Sequence, residues 1–141
     1  MNCQDIMKRD VVTATENQTI QEVAQVMATR NIGFVPVCDG EGRPIGTVTD
    51  RDMTVRAVAQ GKSPSSCRIA EVMTRETILC RADSDVASAE KLMIEHHKSR
   101  IMIADGGGKL IGIISLSDLA TRDPGRRAAV VLREVATREA H

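Results

Sequence analysis

Shifted by 66 positions, one half of the sequence lies over the other without a gap, and this repeat limits what the chain can fold into. Met7 falls on Met73, Arg9 on Arg75, Met27 on Met93, and Asp39-Gly40 on Asp105-Gly106. Gly42 falls on Gly108, Gly46 on Gly112, Asp52 on Asp118, and Arg56 on Arg122. These matches sit on turn glycines and at the ends of expected elements, where residue type is most constrained. A unit of roughly 50 to 60 residues is marginal by itself, so the two copies are expected to pack against each other.

Each copy spells β-α-β-β-α. A short apolar stretch comes first, Val11-Val12-Thr13 or Thr77-Ile78-Leu79. In the first copy an amphipathic helix follows, with Ile20, Val23, Ala24, Met27 and Ala28 on one face. Thr19 with Glu22 makes a capping-box start, and Asp85 takes the matching N-cap in the second copy. A hairpin comes next: Phe34 to Val37 turning through Asp39-Gly40-Glu41-Gly42 into Ile45 to Thr49. Its mate runs from Ile101 to Ala104, through Asp105 to Gly108, into Leu110 to Ser115. A second helix is expected near Asp52 and near Asp118. The division that follows is a first repeat at 1–61, a linker at 62–67 rich in Ser around Pro64, a second repeat at 68–123, and a helical tail at 124–141.

Composition removes several function classes. Among 141 residues, 19 Lys plus Arg offset 19 Asp plus Glu, so no positive field points to nucleic acid as a partner. Phe34 is the single aromatic residue, which removes stacking platforms and aromatic cages. Cysteines at 3, 38, 67 and 80 include no C-x-x-C pair, and read as buried thiols in a reducing compartment. No apolar run approaches the ~18 residues needed to span a bilayer, and the first residues lack a signal-peptide pattern. The expectation is a cytoplasmic protein without a membrane partner. The adjacent His96 and His97 diverge on a helix, so they read as cations near a helix end rather than metal ligands, and no metal site is expected.

The stretches Gly46-Thr47-Val48-Thr49-Asp50-Arg51-Asp52 and Gly112-Ile113-Ile114-Ser115-Leu116-Ser117-Asp118 share the form Gly-x-apolar-(Thr/Ser)-x-x-Asp at a strand-to-helix junction. One reading is a capped helix: the hydroxyl accepts a backbone N–H, and the carboxylate faces the positive end of the dipole. The other is a ligand site. The glycine would let a ligand approach, the hydroxyl and free N–H groups would hold a phosphate, and the carboxylate would accept ribose hydroxyls.

Two such patterns, each preceded by an Asp-Gly-x-Gly turn, resemble a tandem pair of CBS (cystathionine-β-synthase) domains, or Bateman module, over roughly residues 1–123. The resemblance implies an α/β fold of the α+β type, with two β-α-β-β-α repeats packed through their sheets about a pseudo-twofold axis, plus a C-terminal helix. It also implies clefts that bind AMP, ADP, ATP or S-adenosylmethionine, with the motif aspartate on the ribose. Carried over by position, one cleft takes Asp52 for the ribose and Thr49 and Arg51 for phosphates. Thr47 and Ile78 flank its base, and Ser99 and Arg100 enter from the second repeat. The other takes Asp118, Ser115, Ser117 and Ile113, with Val12, Ile32 and Gly33. Phe34 and Ser117 stand there in place of Arg100 and Arg51, so the Asp52 cleft is expected to bind phosphate more tightly.

No nucleophile with an adjacent base is recognisable, so no enzymatic activity and no catalytic cofactor are expected. The leading expectation is a regulatory, energy-sensing homodimer that binds an adenosyl ligand and transmits a conformational change to a partner protein. The alternative is a non-catalytic dimerisation or adaptor module with vestigial clefts.

Overall fold

Two aspartates build the hairpins. Asp39 Oδ1 accepts the N–H groups of Glu41 and Arg43 at 2.9 and 3.0 Å, and Asp105 Oδ1 accepts those of Gly107 and Lys109 at the same distances. Gly42 and Gly108 close the two turns at φ 81° and 83°, a left-handed conformation that a Cβ would strain. In this computed structural model, which describes residues 1–122 and 126–139, these turns join β1 (Phe34–Cys38) to β2 (Pro44–Thr49) and β4 (Arg100–Ala104) to β5 (Leu110–Ser115). Each antiparallel pair slips register once, between Val37 and Cys38 and between Ile103 and Ala104.

Helix α2 (Ile20–Arg30) starts where the capping pattern puts it, with Thr19 Oγ1 accepting the Glu22 N–H at 3.1 Å. Helix α4 (Val86–His96) starts on Asp85, whose carboxylate accepts the Ala87 N–H at 2.9 Å. Both end on a left-handed residue, Asn31 and His97, each at φ 53°. His97 is thus a C-cap, and the histidine pair marks the helix end. Helix α3 (Asp50–Met53) begins directly after β2 and widens into a π turn over Thr54–Val58, where the Ala59 N–H reaches the Thr54 carbonyl. In the second copy α5 spans Leu116–Arg122.

The first strand of each copy departs from the sequence reading. Strand β3 is Leu79–Arg81, parallel to β4, later than the expected Thr77–Leu79. Val11–Thr13 forms no strand; only Ala14 bridges β1, exchanging hydrogen bonds with the Pro36 carbonyl and the Cys38 N–H at 2.9 Å. The sheets therefore read β1-β2 and β3-β4-β5.

Two compact units form, out of phase with the sequence halves. One, the first-repeat unit, is Val12–Thr77; the other, the second-repeat unit, is Met1–Val11 with Ile78–His141. The stretch read as a linker is part of the first-repeat unit: the Pro64 carbonyl accepts the Gln21 N–H, and the Cys67 carbonyl accepts that of Ile20. Beyond it, a short 3-10 turn at Ile69–Glu71 docks by Ile69 N–H to Gln18 O and Ala70 N–H to Glu16 O. The second-repeat unit has the same contacts, with the strap residues 66 positions earlier and their partners 66 positions later. Helix α1 (Cys3–Ile6) docks by Cys3 N–H to Ser84 O and Gln4 N–H to Ala82 O, both 2.9 Å. Each unit thus carries a strap supplied by the chain segment just ahead of the other copy's β-α-β-β-α core. Hydrogen bonds and buried apolar side chains outweigh sequence proximity here.

Each unit has its own core. In the first-repeat unit it gathers Val23, Met27, Val35, Val37, Val48, Ile69, Val72 and Met73. In the second it gathers Met7, Met93, Ile101, Ile103, Ile114 and Leu119, closed by Val131 and Val135 of α6 (Arg126–Glu139). The methionines that recur at the repeat period are therefore core residues. Of the tail expected at 124–141, residues 124–125 and 140–141 lie outside the described residues. Among the described residues, no helix is long and apolar enough to cross a membrane.

Candidate functional site

The strand-to-helix junctions are built alike. Thr49 Oγ1 accepts the Asp52 N–H while Asp52 Oδ2 accepts the Thr49 N–H, both at 3.0 Å. At the second junction Ser115 Oγ accepts the Asp118 N–H at 3.2 Å, and Asp118 Oδ2 accepts the Ser115 N–H at 2.8 Å. Asp118 Oδ2 also takes the Ser115 hydroxyl at 2.9 Å, and Ser115 and Ser117 hydroxyls meet at 2.7 Å. The capping reading of the motif is therefore realised in full. It uses one oxygen of each carboxylate and fixes the direction of the other.

That second oxygen faces a cation in both places. Asp52 Oδ1 lies 3.8 Å from Arg56 Nη2, and Asp118 Oδ1 lies 3.6 Å from Lys8 Nζ. Arg56 is held in turn by the Val72 and Met73 carbonyls at 3.0 and 3.1 Å and by the Thr74 hydroxyl. The Lys8 side chain is 72% exposed against 10% for Asp118, so the ammonium is the adjustable partner.

The motif glycines do something other than admit a ligand. A Cβ on Gly46 would overlap the Thr74 carbonyl and the Met73 methyl; one on Gly112 would overlap Met7 Sδ and lie 3.1 Å from the Lys8 carbonyl. The space over each glycine is filled by the strap. Thr47 and Thr74 exchange two backbone hydrogen bonds at 2.9 Å, and Lys8 and Ile113 exchange two at 2.9 and 3.0 Å.

The site residues read from the sequence divide between the units. Val12, Ile32, Gly33, Thr47, Thr49, Arg51 and Asp52 fall in the first-repeat unit. Ile78, Ser99, Arg100, Ile113, Ser115, Ser117 and Asp118 fall in the second. Within the first, the Gly33 carbonyl accepts the Asp50 N–H at 3.1 Å, and Phe34 stands across the sheet from Thr49. Ile32 packs on the core edge, while Arg51 is exposed. Within the second, the Ser99 carbonyl accepts the Leu116 N–H at 3.0 Å, and Ile78 packs on the core edge. Arg100 pairs in register with Ser115.

Sequence reasoning did not pick out Lys8, Arg56 or the strap methionines as site residues. Arg56 had a signal, because it stands four residues after Asp52 and repeats as Arg122. Lys8 had none, since its partner lies at the far end of the chain and its repeat counterpart is Thr74.

Residues 3–57 and 69–125 each match the CBS domain. Protein MK0525 of Methanopyrus kandleri is 34% identical over 120 residues, 85% of this chain; the chain spans 61% of that protein's length. The CBS domain pair of protein MJ0100, solved with 5'-methylthioadenosine and S-adenosyl-L-methionine, is 28% identical with a TM-score of 0.74, covering 86% of this chain and 94% of that one. The cytosolic domain of the Mg2+ channel MgtE, solved with ATP, is 25% identical with a TM-score of 0.74, covering 85% of this chain and 48% of that one. Repeat, junction motif and fold agree with these matches: the chain belongs to the CBS-domain family and carries two CBS domains.

Proposed function

We propose that the protein is a regulatory module that binds an adenosyl compound, such as AMP, ADP, ATP or S-adenosylmethionine, through its two Thr/Ser-x-x-Asp junctions. The observation that carries this reading is the division of labour within each carboxylate. Asp52 and Asp118 each spend Oδ2 on the helix cap and turn Oδ1 toward an exposed cationic side chain. A ribose diol can take that oxygen, freeing the cation for a phosphate. MJ0100 bound to S-adenosyl-L-methionine and MgtE bound to ATP support the ligand class.

Both junctions are offered to anionic adenosyl ligands, with Arg56 beside Asp52 and Lys8 beside Asp118. Ligand binding biases whichever conformation it prefers, and a partner protein reads that bias. The proposal includes a homodimer and a non-catalytic role. Exposed Val55, Val58, Val130 and Leu132 provide apolar surface for association. Calorimetric titration with AMP, ATP and S-adenosylmethionine tests the reading, with sedimentation run on the same samples. Heat of binding that is lost in a variant carrying both Asp52→Ala and Asp118→Ala supports it. Dimers that bind none of the three ligands favour the adaptor alternative.

A further inference from the structure

The N-terminal strap carries a chemical feature that the ligand reading does not use. Cys3 Sγ and Cys80 Sγ lie 3.8 Å apart, from positions separated by 77 residues. Both thiols are buried in the core of the second-repeat unit. In the repeat register Cys3 corresponds to Ile69 and Cys80 to Ala14, which are both buried in the other core. Two positions that hold an aliphatic pair in one unit therefore hold a thiol pair in the other. Cys38 and Cys67, the remaining cysteines, are buried in the first-repeat unit.

We propose that Cys3 and Cys80 form a reversible disulfide that fastens the N-terminal strap to β3. The backbone is already arranged for it. Cys3 is held by its N–H to Ser84 O and the next residue by its N–H to Ala82 O, so α1 is pinned against the segment that leaves β3. Closing the bond shortens the sulfur separation to ~2.05 Å, a movement within the rotamer freedom of two cysteines. The oxidant is a peroxide. One thiolate attacks a peroxide oxygen, giving a sulfenic acid and releasing water, and the neighbouring thiol then displaces a second water. Two thiols and one hydrogen peroxide thus become one disulfide and two waters. A dithiol reductant reverses the bond by exchange. Burial and the neighbouring Cys80 push the Cys3 thiol up to about 12, so little thiolate forms at neutral pH and oxidation is slow there and faster in base.

The bond would close a long loop and hold in place the segment that presents Lys8 to Asp118 and Met7 to Gly112. Wild-type protein treated with hydrogen peroxide at about pH 9 is expected to lose ~2 Da and two titratable thiols. Peptide mapping without reductant should recover a fragment joining Cys3 to Cys80. The melting temperature should rise by roughly 5–15 °C and fall back on reduction. Amide exchange at Lys8, whose N–H is bonded to the Ile113 carbonyl, should slow. Cys80→Ala, which installs the residue of the other repeat, should fold and lose every one of these responses. Native protein in which Cys3 and Cys80 stay unlinked after exhaustive peroxide treatment overturns the proposal. So does a link that appears only in denaturant.

Discussion

Lys8 Nζ stands 3.6 Å from Asp118 Oδ1, joining the strap at one end of the chain to the helix start near the other. The lysine is largely exposed, so solvent screens the pair and its contribution to stability is about 0.2–1 kcal/mol. Lys8→Met should therefore lower the denaturation midpoint only slightly, and high salt should erase the difference. On the proposed function, the same variant weakens binding of ATP more than that of S-adenosylmethionine, because it removes a positive charge. Denaturant titrations in low and high salt check the first statement, and calorimetry checks the second.

The straps predict an asymmetry between the two motif glycines. At Gly46 an added methyl meets the backbone carbonyl of Thr74, a residue held in place by the two backbone hydrogen bonds it exchanges with Thr47. At Gly112 the first obstacle is the flexible Met7 side chain. Overpacking typically costs about 1–3 kcal/mol, so Gly46→Ala should fall at or above the top of that range and Gly112→Ala nearer the bottom. Adding Met7→Ala should partly relieve Gly112→Ala, giving a less than additive loss in a double-mutant cycle. Equal costs at the two glycines would contradict the packing described here.

What the sequence made legible was local. Asp39 and Asp105 announced their turns because a side-chain carboxylate can accept the turn's own N–H groups, and Thr19 and Asp85 announced their helices likewise. The motif Thr49 to Asp52 was legible as a cap for the same reason. The straps were not. Nothing near Met7 or Met73 in the sequence tells that each segment packs over a glycine of a strand nearer the other end of its unit.

The caps themselves can be weighed. Thr49→Ala and Ser115→Ala each remove the acceptor for the N–H of Asp52 or Asp118 and should cost about 0.5–2 kcal/mol in thermal or denaturant unfolding. Ser115→Ala should be the more damaging of the two. Its hydroxyl also meets Asp118 Oδ2, at a carboxylate that is buried. Thr49→Ser should restore most of the loss at its site.

Stability should fall in base. Burial pushes the thiols of Cys3, Cys38 and Cys67 upward, Cys3 from 9.0 to about 12. A group whose pKa is raised on folding adds stability that is complete below its unfolded value and is lost as pH climbs toward the folded one. The denaturant midpoint of the reduced protein should hold steady up to about pH 8 and decline from about pH 9. Cys3→Ser should flatten part of that decline. A midpoint indifferent to pH between 8 and 11 would show that these thiols ionise as freely in the folded state as in the unfolded chain.

The account rests on two carboxylates whose free oxygens are aimed by their own helix caps. Calorimetric titration of ATP into the wild type, Asp52→Asn, Asp118→Asn and the double variant tests it most directly. Each single substitution should weaken binding at one class of site by about tenfold or more, equivalent to ~1.4 kcal/mol, and the double variant should bind nothing measurable. Full ATP binding by the double variant, or none by the wild type, would contradict it.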